Sequence, residues 1–246
     1  HYYGYLNNRV ANFMKELDQE LWKYGIPAKP KHNEAAPAQH EIACIYRKVN
    51  ITTDNNHLIM QLMQDIAKKH GLRCLLHEKP FQSVNGSGKH NNWSVVTDTN
   101  ANLFAPGNDP INNIPFLATL ACVVKGVDEY SDLLRLTIAS ASNDHRLGGN
   151  EAPPAIVSMF LGEGLNSVID SIINDTKLTN QKKTRFQTGV SVIPDFSKDT
   201  TDRNRTSPFA YTGNKFEFRG VGSSQSIANV NTILNAILAI EMKEMS

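Results

Sequence analysis

The chain has 246 residues, 40% of them hydrophobic, and its 25 basic and 24 acidic residues leave a formal charge of +1. That is enough apolar material for a sizeable core in one large domain or two small ones, while the balanced charge removes any electrostatic case for nucleic acid or an anionic membrane as partner. Cys44, Cys74 and Cys122 are odd in number, far apart and set in apolar runs such as "RCLLHE" and "LACVVKG", which points to buried thiols in a reducing cytosol rather than disulfides. The sequence shows no signal-peptide pattern and no apolar run long enough to span a bilayer. The chain opens on "HYYGYLNNRV" without Met and stops inside a helical pattern, so a segment of a longer polypeptide is expected.

Apolar residues at helical spacing predict an amphipathic helix over 10–24, with Gly25 as its cap. "QHEIACIYRKV" has strand composition and follows the turn-prone "HNEAAPA". Thr53 or Asp54 is the expected cap of a helix running to Gly71, after which "LRCLLHEK" reads as a strand. A glycine turn and a third strand, "NWSVVTD", come next, and "PFLATLACVVKGVDEYSDLLRLTIAS" reads as buried helix. "NDHRLGGNEAPP" is a loop by its Gly, Pro and Asn content, and another helix is expected to begin near Ala155. Residues 177–207 are polar and read as an exposed insertion or connection; "NKFEFR" is a strand and "SIANVNTILNAILAI" a final helix. This alternation leaves α/β and α+β both open.

The glycine stretch "NGSGKHNNWS" contains Gly-Lys but is no P-loop, because Ser83 stands where that loop needs its first glycine and His90 where it needs Ser or Thr. Asn91 at the third glycine's place rules out the dinucleotide fingerprint. Glu34 and Glu41, seven residues apart across a proline-containing turn, suit a hard cation such as magnesium or manganese. His90 and Glu217 are candidates to complete such a site. In "KFEFR" the strand period sends Lys215, Glu217 and Arg219 to one face and the two phenylalanines to the other. Each signal alone also fits a plainer reading: a solvated carboxylate pair, a loop histidine, an exposed face laced with ion pairs. His57, His70 and His77 read as structural.

Taken together, "HNEAAPAQHE", "LLHEKPFQSVNGSGKHNNWS", "NDHRLGGNEAPPA", "RNRTSPFAYTGNKFEFR" and "GSSQSIAN" resemble the ordered motifs of the glutamine synthetase family, in its long type III form, over nearly the whole chain. The resemblance implies an α+β fold, a curved antiparallel sheet forming a partial barrel backed by helices, in ring-shaped homo-oligomers. It implies that residues 1–246 are a partial catalytic domain, lacking the amino-terminal domain and the carboxy-terminal part, of a cytoplasmic enzyme. The implied reaction joins ammonia to L-glutamate through a γ-glutamyl phosphate, with ATP as the second substrate and Mg2+ or Mn2+ as cofactor.

Carried over residue by residue, the resemblance makes Glu34 and Glu41 ligands of the cation nearer glutamate, and His90 and Glu217 ligands of the cation nearer the phosphates. It assigns Asn85 and Gly86 to substrate glutamate, Arg146 to its carboxylate or the moving phosphate, and Arg219 to the phosphoryl group. Glu151 becomes the acid that takes a proton from ammonium, and Asn92, Ser94, Arg205 and Lys215 become nucleotide contacts. The chain departs from the family's shorter forms at Asn92, where they carry a second histidine, and at Ala210, where they carry an arginine. Arg146 and Glu151 are also one residue closer together, and the polar region is longer. These departures resemble type III usage. The alternatives are a ligase of glutamate to another amine and a non-catalytic regulator that binds nucleotide or glutamate.

Overall fold

The spacing of Met14, Leu17 and Leu21 puts all three on the buried face of helix α1 (Asn8–Lys23). The computed structural model describes residues 4–176, 185–186, 196–197 and 207–246. Asn7 caps α1 by accepting from the Arg9 amide at 2.9 Å, and Gly25 closes it at φ +67°, a left-handed turn that glycine adopts without a Cβ clash. α1 packs on helix α2 (Val49–Lys69) through Leu17, Leu21, Ile26, Ile59 and Ile66. α2 begins four residues ahead of Thr53, the expected cap. The Thr53 hydroxyl instead donates to the Val49 carbonyl at 2.8 Å, as hydroxyls do inside a helix.

Between these helices lies an antiparallel pair, β1 (Ala28–Asn33) and β2 (His40–Cys44). Only β2 was foreseen. β1 reads "AKPKHN", too basic and proline-bearing for a strand signal, and its register shifts between Lys29 and Lys31, where Pro30 cannot donate to a ladder. "LRCLLHEK", expected as a strand, pairs with none among the described residues. The Leu76 carbonyl accepts from Ser223 Oγ at 2.6 Å and the Glu78 carbonyl from the Ser87 amide at 2.8 Å, so loop contacts replace a ladder.

A second, four-stranded sheet has the order β3 (Gly88–Trp93), β8 (Phe216–Gly222), β7 (Phe209–Tyr211), β4 (Met159–Phe160). β4 runs parallel to β7 and the other pairs are antiparallel. β3 starts inside the glycine stretch and stops at Trp93; the expected continuation through "SVVTD" survives as a single Val96–Asn102 bridge. One face of this sheet carries Trp93, Phe209, Phe216 and Phe218, with Phe104 against them, all nearly or wholly buried. Phe209 and Phe216 stack at 4.7 Å between ring centroids. Helices α3 (Ile114–Glu129) and α7 (Ala228–Met245) cover this face, with Ile237 packed directly on Gly126. Buried Asn91 and Asn231 exchange amide hydrogen bonds at 3.0 and 3.2 Å, fixing β3 against α7.

The helix expected after residue 114 breaks at Tyr130 into α3 and α4 (Ser131–Leu136). Ser140 caps α5 (Ala141–Arg146), so "NDHR" is helical and the loop starts at Leu147. α6 (Glu163–Ile173) begins after Gly162, later than the expected start near Ala155. Of the 177–207 insertion only the paired strands β5 (Arg185–Phe186) and β6 (Phe196–Ser197), and Ser207, lie within the described residues. The fold is α+β, with no described helix long and apolar enough to cross a membrane. Cys122 is buried as expected, whereas Cys74 is half-buried and Cys44 exposed at the end of β2; all three are free thiols.

Candidate metal-binding cleft

Strand periodicity builds the first half of the site. His32 and Glu34 are two apart along and just past β1, and His32 stands opposite Glu41 in the β1–β2 register, so all three side chains converge. His32 Nε2 lies 3.0 Å from Glu34 Oε1 and 3.0 Å from Glu41 Oε2, and one donor atom from each of the three falls within 4.8 Å of the others. Burial pushes the Glu41 carboxyl above the usual carboxylate range. The neighbouring Glu34 pushes the same way, and His32 and His90 only partly offset it. Two carboxylates held this close favour an arriving cation, and the oxygen-rich donor set fits a hard one.

The second half comes from the four-stranded sheet. Between Lys89 and Asn91 the register shifts, so Arg219 and Gly220 of β8 stand opposite His90 alone. His90 Nδ1 lies 2.6 Å from Glu217 Oε1, and Arg219 extends a guanidinium nitrogen to 3.5 Å from Glu217 Oε2. Burial alone would raise the Glu217 carboxyl, but the His90 hydrogen bond and charge, with Arg219, outweigh it and hold the group below the usual range. The alternation read from "KFEFR" is present: Phe216 and Phe218 are fully buried in the core while Glu217 turns to His90.

Both halves border one cleft of about 100 Å³, lined by Glu34, Glu41, Gly86, His90, Arg146 and Glu151 among others. Gln39, in the turn between β1 and β2, spans the halves: its Nε2 donates to the Gly86 carbonyl at 2.8 Å and to Ser87 Oγ at 2.7 Å. Arg146, 4% exposed at the end of α5, donates to Asn143 Oδ1 and to the carbonyls of Arg219, Gly220 and Val221. Gly86 and Gly88 lie directly over its side chain, and a Cβ on either would overlap it, which explains why these positions lack one. Asn85 Nδ2 donates to Glu151 Oε2 at 3.1 Å.

Of the expected site residues, Glu34, Glu41, Gly86, His90, Arg146 and Glu151 line the cleft, with Asn85, Glu217 and Arg219 in contact with that group. Asn92 and Ser94 are exposed farther along the line of β3, and Lys215 is half-buried before β8; none of the three borders the cleft. Arg205 lies outside the described residues. Sequence reasoning passed over His32 and Gln39, both inside or beside the quoted "HNEAAPAQHE", because their convergence depends on the unforeseen β1. It also passed over Glu78, wholly buried yet accepting from the Ser224 amide, Ser224 Oγ and Ser142 Oγ, which ties the loop before the glycine stretch to the end of β8.

Carboxylate and histidine groups on two strand pairs, facing one cleft with a loop acid opposite, make a donor set that fits a hard divalent cation. The family model described as glutamine synthetase, catalytic domain, matches residues 2–157. The chain is 48% identical over 243 residues to the type-3 glutamine synthetase of Dictyostelium discoideum, covering 99% of this chain and 33% of that protein. It is 52% identical over 247 residues to a glutamine synthetase of Bacteroides fragilis, covering 99% and 34%. Among solved structures, glutamine synthetase of Plasmodium falciparum superposes with a TM-score of 0.65 at 16% identity, over 96% of this chain and 38% of that one. Ligand-free GmaS superposes at 0.64 and 18% identity, over 94% and 44%. The chain belongs to the glutamine synthetase catalytic-domain family. It spans about a third of the length of the curated relatives it matches.

Proposed function

We propose that this chain supplies the central part of the active site of a glutamate–ammonia ligase, which uses ATP to convert L-glutamate to L-glutamine through a γ-glutamyl phosphate. The observation that carries the reading is the convergence on one cleft of Glu34 and Glu41 from one sheet and His90, backed by Glu217, from another, with Arg146 and Glu151 alongside. Glu34 and Glu41 would hold one Mg2+ or Mn2+, and His90 and Glu217 another. Bound there, such cations neutralise charge on a transferring phosphoryl group.

The chain's own residues do the rest by position. Asn85 and Gly86 bind glutamate at the turn, where the absent Cβ of Gly86 permits close backbone approach. Arg146 and Arg219 add fixed positive charge for the glutamate carboxylate and the phosphoryl oxygens, and both are pre-set by burial. Glu151 sits on a loop at the cleft and takes the proton from ammonium, while the closed loop keeps water from the acyl phosphate. Asn92, Ser94, Lys215 and Arg205 contact the nucleotide. In this reading the two sheets are parts of a curved partial barrel, residues 177–207 are a polar insertion in a partial catalytic domain, and the assembly is a cytoplasmic ring of identical subunits.

The test is synthesis by the full-length protein from glutamate, ammonium and ATP with Mg2+ or Mn2+. Glutamine and ADP in equal amounts are expected. Turnover with a polyamine but not ammonium would make it a different glutamate–amine ligase, and nucleotide binding without turnover would make it a regulator.

A further inference from the structure

We infer that Glu78 is a positioning residue for glutamate binding: without touching substrate, it holds Arg146 and the glycine turn in fixed relation to each other. The role rests on the glutamate-binding reading above. Glu78 is wholly buried, and its two ends serve different elements. Its main-chain carbonyl accepts from the Ser87 amide at 2.8 Å, inside the glycine turn. Its carboxylate accepts from Ser142 Oγ at 2.7 Å through one oxygen, and from the Ser224 amide and hydroxyl at 2.9 and 2.6 Å through the other. Ser142 belongs to α5, about one turn ahead of Arg146. Ser224 lies just past the end of β8. The turn, the helix that carries Arg146 and the end of β8 are therefore all bonded to this one residue.

The glycines show how closely the parts fit. Gly88 and Gly222 stand opposite each other in the β3–β8 ladder. A Cβ on Gly88 would overlap the Arg146 guanidinium, and one on Gly222 would overlap the Glu78 carboxyl. Gly86 adjoins both residues: a Cβ there would lie 2.6 Å from the Glu78 carbonyl oxygen and 2.8 Å from Arg146 Cγ. Packing this dense transmits a displacement instead of absorbing it. A shift of Glu78 reaches the turn through Ser87 and Arg146 through Ser142. Misplacing substrate-holding groups by about 1 Å costs up to roughly 10²-fold. A buried acid with only a structural role would behave differently: its loss would lower the amount of folded enzyme and leave the KM values alone.

The experiment measures KM for L-glutamate and for ATP, and L-glutamate affinity by calorimetry, on the full-length protein and three variants. Glu78→Ala is expected to raise KM for glutamate about ten- to a hundredfold while KM for ATP stays within roughly twofold. Glu78→Gln keeps the shape and one acceptor oxygen for Ser224, and its amide can donate to the Ser142 hydroxyl. It is therefore expected to restore most of the glutamate affinity despite its lower stability. Ser142→Ala deletes a single hydroxyl and cuts only the arm to α5, so it carries the test by itself if Glu78→Ala does not fold. A glutamate-selective rise in KM is expected there too. Unchanged glutamate affinity in Ser142→Ala, equal rises for glutamate and ATP, or no recovery in Glu78→Gln overturns the inference. A parent protein that neither turns over nor binds glutamate overturns the reading beneath it, whereas a parent that binds glutamate with variants to match overturns the inference alone.

Discussion

Asn85 and Glu151 meet across the cleft mouth through a hydrogen bond of 3.1 Å, which ties the glycine turn to the loop after α5. Glu151 is one of four non-glycine residues in the left-handed region among those described, at φ +58°. Removing its carboxylate by Glu151→Ala should reduce ammonia-dependent synthesis by about 10²- to 10⁴-fold, the range of a lost proton acceptor. Glutamate-dependent ATP cleavage, which precedes deprotonation, should fall far less. Equal losses in both assays on the full-length protein would give the residue another role. Glu151→Gly should be as inactive yet no less stable, because relief of left-handed strain, about 1–2 kcal/mol, offsets the added chain entropy of glycine, about 0.5–1 kcal/mol. Urea unfolding of parent and variant checks this.

Glu217→Ala removes the partner of His90 and leaves Arg219 beside it without the carboxylate. Manganese and ATP binding should weaken at least about tenfold, as for loss of a hard-cation ligand or its orienting partner. Phe216 and Phe218 stay in the core, so near-UV circular dichroism should be unchanged. Equal manganese affinity in calorimetry would exclude Glu217 from the cation site.

Gly88→Ala forces a methyl group into the Arg146 guanidinium, which cannot swing away without giving up its bonds to Asn143 and the β8 carbonyls. We expect a loss of about 1–3 kcal/mol from overpacking and impaired synthesis. Gly164→Ala meets open space in α6 and is the control, with stability at or above the parent's. Matching unfolding midpoints for the two variants would show that Arg146 yields easily.

Glu78 supplies the pH prediction. Burial alone would raise its carboxyl, but hydrogen bonds from Ser224 and Ser142 outweigh it and hold the group below its ordinary value of 4.5. A folded-state value below the unfolded one gives stability that is present above 4.5 and lost as pH falls through the lower folded value. Glu78→Gln should therefore cost about 1.5–3 kcal/mol at pH 7, the worth of charge-assisted bonds, with the gap to the parent narrowing on acidification. A gap that stays constant from pH 7 to pH 3 would mean that the carboxylate charge contributes nothing.

Where the sequence carries its own signal, reading it works: α1 shows through Met14, Leu17 and Leu21, and β8 through two phenylalanines alternating with charges. The rest depends on partners far away in the chain. β4 and β7 are two and three residues long, too short for a period, and β1 hides behind two lysines and a proline. "LRCLLHEK" has strand composition, yet composition does not name the neighbour that would complete a ladder. The same distinction divides the site. Glu34, Glu41, His90 and Glu217 are conspicuous as acids and a histidine in apolar or turn-forming settings, whereas His32 gains meaning only from its position opposite Glu41, and Gln39 only from reaching Gly86.

The two sheets share no ladder. β1 and β2 rest on the small core under α1 and α2, β3 and β8 on the aromatic one. At the cleft they are joined by side-chain bonding from Gln39 to Gly86 and Ser87, and elsewhere by bonds such as His57 to Ser226 at 2.8 Å. The cleft is therefore a seam between two separately consolidated bodies, and a seam opens at less free energy than either body unravels. The Gln39 side-chain amide hydrogens, which hold the Gly86 carbonyl and Ser87 Oγ, should exchange through that partial opening rather than through global unfolding. A ligand gripping Glu34 on one side and His90 on the other would act as a latch, slowing exchange there while leaving the aromatic core as protected as before.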